Sequence, residues 1–108
     1  MKKPHSKESY KHKTAKHLLK KWLEPNYIVK TEEVFGCFQP DISIYSGTRL
    51  DAFYEVVHTH AIDGKKLGLM QYWGYINNTH IPIFEIEAEW ILRQCEKPER
   101  FVCDTYWI

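Results

Sequence analysis

Two short runs rich in β-branched and aromatic residues, separated by a tight turn, constrain the fold of this chain more than any other feature. In the first run, residues 40 to 45, Ile42 and Ile44 alternate with polar side chains, as in a strand with one buried face. Residues 46 to 49 contain a glycine and supply the turn. The second run covers residues 50 to 59, so the sequence predicts an antiparallel β-hairpin.

A helix and a strand are predicted before the hairpin. Apolar residues at helical spacing predict the first helix over residues 6 to 24, with Ser6 or Ser9 as its N-cap. The other predicted elements are a strand at 27 to 35, a helix at 65 to 76, a strand at 81 to 87, a short helix at 88 to 95 and a last strand at 101 to 107. This αβββαβ order predicts one small α/β domain, with a mixed, mostly antiparallel sheet flanked by helices. Residues 1 to 7 are expected to form a flexible basic terminus and residues 88 to 108 an appendage.

Composition restricts the class of protein. Hydrophobic residues make up 44% of the 108 residues, which argues against disorder and allows a packed core. No apolar run approaches the ~18 residues of a membrane span, and the N-terminus is too charged for a signal peptide. We therefore expect a soluble, cytoplasmic protein with no membrane association. Three cysteines without a C-x-x-C pair argue against a disulfide framework or a cysteine zinc site.

Positive charge is concentrated at the N-terminus. Residues 1 to 21 hold eight lysines and one glutamate, a charge of about +7, so the rest of the chain carries about −6 of the net +1. A basic arm on an acidic body is typical of proteins that bind nucleic acid. A solubilising terminus is the alternative interpretation.

Two carboxylates, Asp41 and Glu55, occupy the two hairpin strands, where burial of a charge is costly. Strand pairing can bring them to the same place, and each would then raise the pKa of the other. A divalent cation would relieve the repulsion, and Mg²⁺ favours one or two carboxylates completed by water and phosphate oxygens. Glu32 or Glu33 could add a third acid, but only one can face the site. We favour Glu33, on the same side of its strand as Phe35.

Pro40-Asp41, followed by Glu55 at the end of the next strand within an αβββαβ order, resembles the PD-(D/E)XK nuclease superfamily, which has the restriction-endonuclease-like fold. The stretch YEVVHTHAIDGKK is also similar to a branch near competence-type nuclease domains. The resemblance implies that Asp41, Glu55 and the backbone carbonyl of Val56 bind Mg²⁺, or Mn²⁺ as a substitute. It also implies that the metal activates a water that hydrolyses a phosphodiester bond.

The superfamily lysine should stand two residues after Glu55, where this chain has Val57. Some members supply this lysine from the following helix, which here opens with Lys65 and Lys66. We favour Lys66 as the catalytic cation that stabilises the developing negative charge. The resemblance further implies that the first helix lines the substrate groove, and the residues it offers for binding DNA are His12, Lys13, Lys16 and Lys20. An ordinary solvated, lysine-rich helix face is the alternative.

The sequence thus predicts a small Mg²⁺-dependent DNA nuclease. A chain of this length has little room for a separate specificity domain, so its substrate could be branched DNA, or a homodimer or partner could read the sequence. Two other functions stay open. One is a catalytically inactive nucleic-acid-binding module, for which Val57 argues. The other is a protein-interaction factor of viral or mobile-element origin, for which the aromatic tail FVCDTYWI argues.

Overall fold

The structure, a computed structural model, describes residues 9–58 and 62–108. Within these residues the helices are α1 (Tyr10–Leu23), α2 (Gly64–Ile76) and α3 (Ala88–Leu92), and the strands are β1 (Ile28–Thr31), β2 (Ile42–Ser46), β3 (Arg49–Val57), β4 (Pro82–Glu87) and β5 (Asp104–Trp107). The predicted α/β class and the αβββαβ order are confirmed. The terminus predicted at residues 1 to 7 lies outside the described residues.

The first helix begins where the sequence supplies a cap. The Ser9 hydroxyl accepts a hydrogen bond from the backbone amide of His12, which makes Ser9 the N-cap. Lys20 and Lys21 lie in the last turn, where positive charge complements the helix dipole. α1 has 14 residues, and no helix among the described residues is long and apolar enough to cross a membrane.

The five strands form one sheet in the order β1-β2-β3-β4-β5. β1, β2 and β3 form an antiparallel meander, β3 and β4 are parallel, and β4 and β5 are antiparallel. α2 makes the crossover between the two parallel strands. Residues 88 to 108, predicted as an appendage, contain α3 and β5, and β5 extends the sheet by pairing with β4.

The two faces of the sheet have separate cores. Side chains alternate along β3, so Tyr54 and Val56 pack in the cluster formed with α1 and α3, whereas Phe53 packs in the cluster that includes Met70 of α2. Glu55 has the same parity as Phe53 and therefore belongs to the α2 face. The consequence is that helices on opposite faces of the sheet can both reach the end of β3.

β1 is shorter than predicted. The prediction was a strand over residues 27 to 35, but β1 ends at Thr31 because Glu32 adopts a positive φ of 56° and turns the chain out of the strand. The following residues form a small bridge between Phe35 and Phe38. Both rings pack against Trp73 of α2, so tertiary packing overrides the strand pattern.

Candidate functional site

The two predicted carboxylates lie side by side where β2 and β3 stop pairing. The last paired residues of the two strands are Ile42 and Tyr54. Beyond them, side-chain carboxylates bond to backbone amides across the hairpin. Glu55 Oε2 accepts a hydrogen bond from the Asp41 amide at 2.9 Å, and Asp41 Oδ2 accepts one from the Val56 amide at 2.8 Å. These reciprocal bonds fix both carboxylates at the start of β2 and near the end of β3.

Ionising Glu55 costs free energy because the side chain is buried. The residue is 5% exposed. Burial raises the pKa of Glu55 above its usual value, and the neighbouring Asp41 carboxylate raises it further, while the Lys66 ammonium opposes both effects. Two acids held this close, with one of them buried, form a site that gains stability from added positive charge.

Lys66 supplies such a charge from α2. Its Nζ lies 2.7 Å from Glu55 Oε1, and the Lys66 side chain is 29% exposed, so it is partly screened from water. Lys65 is exposed and lines a neighbouring cavity of about 280 Å³ together with Lys66 and Gln39. Lys66, the lysine favoured from the sequence, therefore contacts Glu55 of the acidic pair. Lys65 forms no ion pair with any described residue. Val57, at the expected lysine position, packs against the apolar cluster on the α2 face.

α1 approaches the same carboxylates from the other face of the sheet. His12 Nε2 lies 2.6 Å from the carbonyl oxygen of Val56, a contact in which the imidazole donates, and 3.7 Å from Asp41 Oδ2. Lys16, one helical turn later and only 8% exposed, places Nζ 3.7 Å from Asp41 Oδ1 and 3.1 Å from Glu32 Oε2. Both polar residues predicted on this helix edge thus face the acidic pair.

Glu33, preferred as the third acid, and Glu32 have different partners in the structure. Glu33 accepts a hydrogen bond from the Tyr45 hydroxyl at 2.7 Å, and burial, followed by this carboxylate, raises the pKa of Tyr45 to about 12. Glu32 instead contacts Lys16, which also contacts Asp41. The reason is the early end of β1: the positive φ of Glu32 removes the strand alternation on which the preference depended.

One side of α1 forms a basic groove next to the carboxylates. A cavity of about 350 Å³ is lined by four basic residues of α1 with Thr31 and Glu32 opposite; the four are Lys13, Lys16, His17 and Lys20. Lys20 also pairs with Glu24 at 2.9 Å. His17 was not predicted as a site residue, although its position four residues after Lys13 places it on the same helix face.

A second buried glutamate adjoins the site and was missed. Glu85 of β4 is in register with Glu55 of β3, is 6% exposed, and accepts a hydrogen bond from the amide of Ile62, which begins the approach to α2. Burial raises the pKa of Glu85. The sequence signal for Glu85 is an acid between Phe84 and Ile86 in an otherwise apolar strand. Its position beside Glu55 becomes evident only from the parallel pairing of β3 with β4.

The donor set suits a hard divalent cation. No group of three or more His, Cys, Asp or Glu side chains within residues 9–58 and 62–108 is arranged to hold a metal. Mg²⁺ and Mn²⁺ nevertheless need only one or two carboxylates, with other oxygens from water, backbone or phosphate. Asp41, Glu55 and the Val56 carbonyl offer such oxygens within one hydrogen-bonded unit.

Three comparisons with known proteins give no match. A scan against protein-family models finds none, and neither the search of curated proteins nor the search of solved structures finds a significant one.

Proposed function

We propose that the protein is a divalent-metal-dependent DNA nuclease. The observation that carries the proposal is the fixed pair of Asp41 and Glu55, whose carboxylates lie beside each other's backbone with Glu55 buried and its pKa raised. Apolar side chains at such positions often stabilise a protein as well as buried charges do. Keeping two acids there is costly, and that cost is best explained by a ligand that is positively charged.

Asp41, Glu55 and the Val56 carbonyl would hold the cation. A bound Mg²⁺ or Mn²⁺ supplies Lewis acidity and a water of lowered pKa. The chain itself fixes the two carboxylates through backbone amides, so they need little reorganisation when a ligand arrives. His12 holds the Val56 carbonyl from the other side and thereby orients it.

Lys66 is the candidate for stabilising charge at the reacting phosphate. Its ammonium already lies at the carboxylate pair, 2.7 Å from Glu55. A lysine stem has several rotatable bonds, so the same ammonium can donate to a phosphate oxygen next to the pair. It would then act mainly on negative charge that develops in the transition state.

The basic groove on α1 would bind the DNA backbone. Lys13, Lys16, His17 and Lys20 line it, and Lys16 connects it directly to Asp41. Phosphate contacts of this kind position DNA without reading its sequence, and they make affinity fall with salt. A substrate on this surface would present its backbone to the carboxylates, and the proposed place of action is the cytoplasm.

A binding module without catalysis is the second candidate. The observation in its favour is that His12, Lys16 and Lys66 already surround the acids, while Val57 takes the expected lysine position. In that case the cations neutralise the pair and the basic groove carries the whole function. Cleavage is therefore the property that separates the two candidates.

The test is a cleavage assay on supercoiled, linear duplex, single-stranded and branched DNA with Mg²⁺ or Mn²⁺. We expect the parent protein to cut at least one of these DNAs, and Asp41→Asn and Glu55→Gln to lose the activity while staying folded. Glu96→Gln, an exposed acid outside the site, is the matched control and should cut like the parent. A parent protein that cuts none of them, or an Asp41→Asn variant that cuts normally, overturns the nuclease proposal.

A further inference from the structure

A second cleft lies at the opposite end of α2 from Lys66. Its volume is about 380 Å³, and it is formed by the last turns of α2, the segment that follows and the end of β5. The side chains around it combine amides and a hydroxyl with aromatic rings: Gln71, Tyr75, Asn78, Thr79 and Trp107. The proposed nuclease chemistry uses none of these residues.

The floor of this cleft is built by a close approach that only glycine allows. A Cβ placed on Gly74 would lie 2.8 Å from the Cβ of Ile108 and 2.9 Å from the hydroxyl oxygen of Thr79. The Thr79 hydroxyl donates to the Gly74 carbonyl at 3.3 Å, which ties the segment after α2 to the helix. The cleft is therefore a packed feature of the fold between α2 and β5.

The chemistry of the walls fits a flat, polar-edged ring. Tyr75 is 83% exposed, and Trp107, 57% exposed, stacks on His80 with 5.2 Å between ring centroids. Aromatic faces of this kind stack on nucleobases. The amides of Gln71 and Asn78 each carry donors and an acceptor, which match the hydrogen-bonding edges of a base. A purely apolar partner would leave these amides without partners.

We propose that this cleft binds an unpaired nucleobase of the DNA strand whose phosphate lies at Asp41 and Glu55. The inference rests on the proposed function and names its substrate class, DNA with unpaired nucleotides close to the cut. Bases inside a duplex are stacked on each other and cannot enter a cleft of this kind without being flipped out. A flap, an overhang or a branch offers such a base directly.

The surface of α2 between the carboxylate pair and the cleft can accommodate a single DNA strand. Lys65, the neighbour of Lys66, and Tyr75 are ten residues apart on α2, about 15 Å at 1.5 Å per residue, and lie within about 80° of each other around the helix axis. Lys65 is exposed at the start of this stretch and offers a charge for phosphate. Apart from its chain neighbours and the backbone of its own helix, no heavy atom lies within 4 Å of the Cβ position of Gly68, so the helix surface after Lys65 is open. A single strand can therefore follow α2 from one site to the other.

The experiment measures binding without cleavage, in EDTA, to a duplex with a single-stranded extension. A 2-aminopurine is placed at one extension position at a time, because stacking on an aromatic ring quenches its fluorescence. We expect quenching at one position, and an affinity loss of about 5- to 150-fold for Tyr75→Ala, the range for one lost stacking contact. Tyr75→Phe keeps the ring and should retain affinity. Tyr27→Ala is the control, since Tyr27 is 38% exposed, lies outside α2 and does not line the cleft.

The outcomes separate this proposal from the nuclease proposal. If Tyr75→Ala binds like Tyr27→Ala, or if an abasic extension binds like the parent DNA, the base cleft is wrong even when the protein cuts DNA. If binding depends on Tyr75 but the parent protein cuts no DNA in Mn²⁺, the base cleft stands and the nuclease proposal falls. If Tyr75→Ala instead turns a dimer into a monomer in sedimentation, the cleft is a protein interface and the nucleobase proposal is overturned.

Discussion

Replacing Lys66 with methionine keeps the length of the side chain and removes the ammonium that lies 2.7 Å from Glu55. Breaking a fully buried ion pair costs about 3–5 kcal/mol, and breaking an exposed one about 0–1 kcal/mol. Here the Glu55 side chain is 6% exposed and that of Lys66 29% exposed. We therefore expect a loss of about 2 kcal/mol in the free energy of unfolding, or about 10 °C in Tm for a domain of this size.

The loss should depend on pH with a definite sign. Burial and Asp41 raise the pKa of Glu55, and Lys66 lowers it, so the pKa of Glu55 rises further in Lys66→Met. A carboxyl group with a raised pKa in the fold favours folding while it is protonated and disfavours it once it ionises. The deficit of Lys66→Met should thus be full at neutral pH. It should shrink as the pH falls through the raised pKa values of Glu55 in the two folded proteins, which lie above the usual 4.5, since Glu55 is then protonated in both.

Thermal unfolding followed by circular dichroism in EDTA, from about pH 8 to about pH 4, measures both effects. Lys65→Met is the control, because Lys65 is exposed and neighbours Lys66 on the same helix. A surface substitution of this kind changes stability by at most ~0.5 kcal/mol. The reasoning is refuted if the two variants lose equal stability, or if the deficit of Lys66→Met is the same at both ends of the pH range.

Three further predictions concern DNA binding, the buried acids and the reaction rate. Lys13→Ala should weaken DNA binding and reduce the salt slope by about one, while Arg100→Ala, exposed and outside the groove, should not; a salt titration of affinity measures both. Glu85→Gln keeps an acceptor for the Ile62 amide and removes a buried carboxylate of raised pKa. We expect urea unfolding at neutral pH to give Glu85→Gln a free energy of unfolding that matches or exceeds that of the parent, whereas that of Glu85→Ala should be lower by the ~1–3 kcal/mol of an unsatisfied buried amide. Single-turnover cleavage by Lys66→Met should be slower by ~10²-fold with little change in DNA affinity, as for one lost electrostatic stabiliser; equal rates would contradict the role of this lysine.

The hairpin and the proximity of Asp41 and Glu55 could be predicted from the sequence because both depend on local conformational rules. Strand alternation and a glycine-containing turn determine which residues oppose each other in β2 and β3. The proximity of Asp41 and Glu55 follows from that register, and each carboxylate accepts a hydrogen bond from an amide on the opposite side of the hairpin. The position of Lys66 followed from the start of the next helix, since its first turn lies against the strand end.

Features that depend on long-range packing could not be predicted in the same way. β1 ends early because Glu32 takes a positive φ, for which no glycine or asparagine gives a sequence signal, and because Phe35 and Phe38 pack on Trp73. As a result, Glu32 contacts Lys16, whereas Glu33 accepts a hydrogen bond from Tyr45. Similarly, the position of Glu85 beside the site depends on the parallel register of β3 and β4, which only the crossover through α2 establishes.

The central claim is that Asp41 and Glu55 together hold a divalent cation, and a calorimetric titration with Mn²⁺ tests it most directly. The account predicts that the parent protein binds Mn²⁺ and is stabilised by it through mass action, and that Asp41→Asn and Glu55→Gln each weaken the binding by about tenfold or more. Glu99→Gln, an exposed acid away from the pair, should bind Mn²⁺ like the parent. Equal Mn²⁺ binding by the parent, Asp41→Asn and Glu55→Gln, or no binding by the parent at all, would contradict the account.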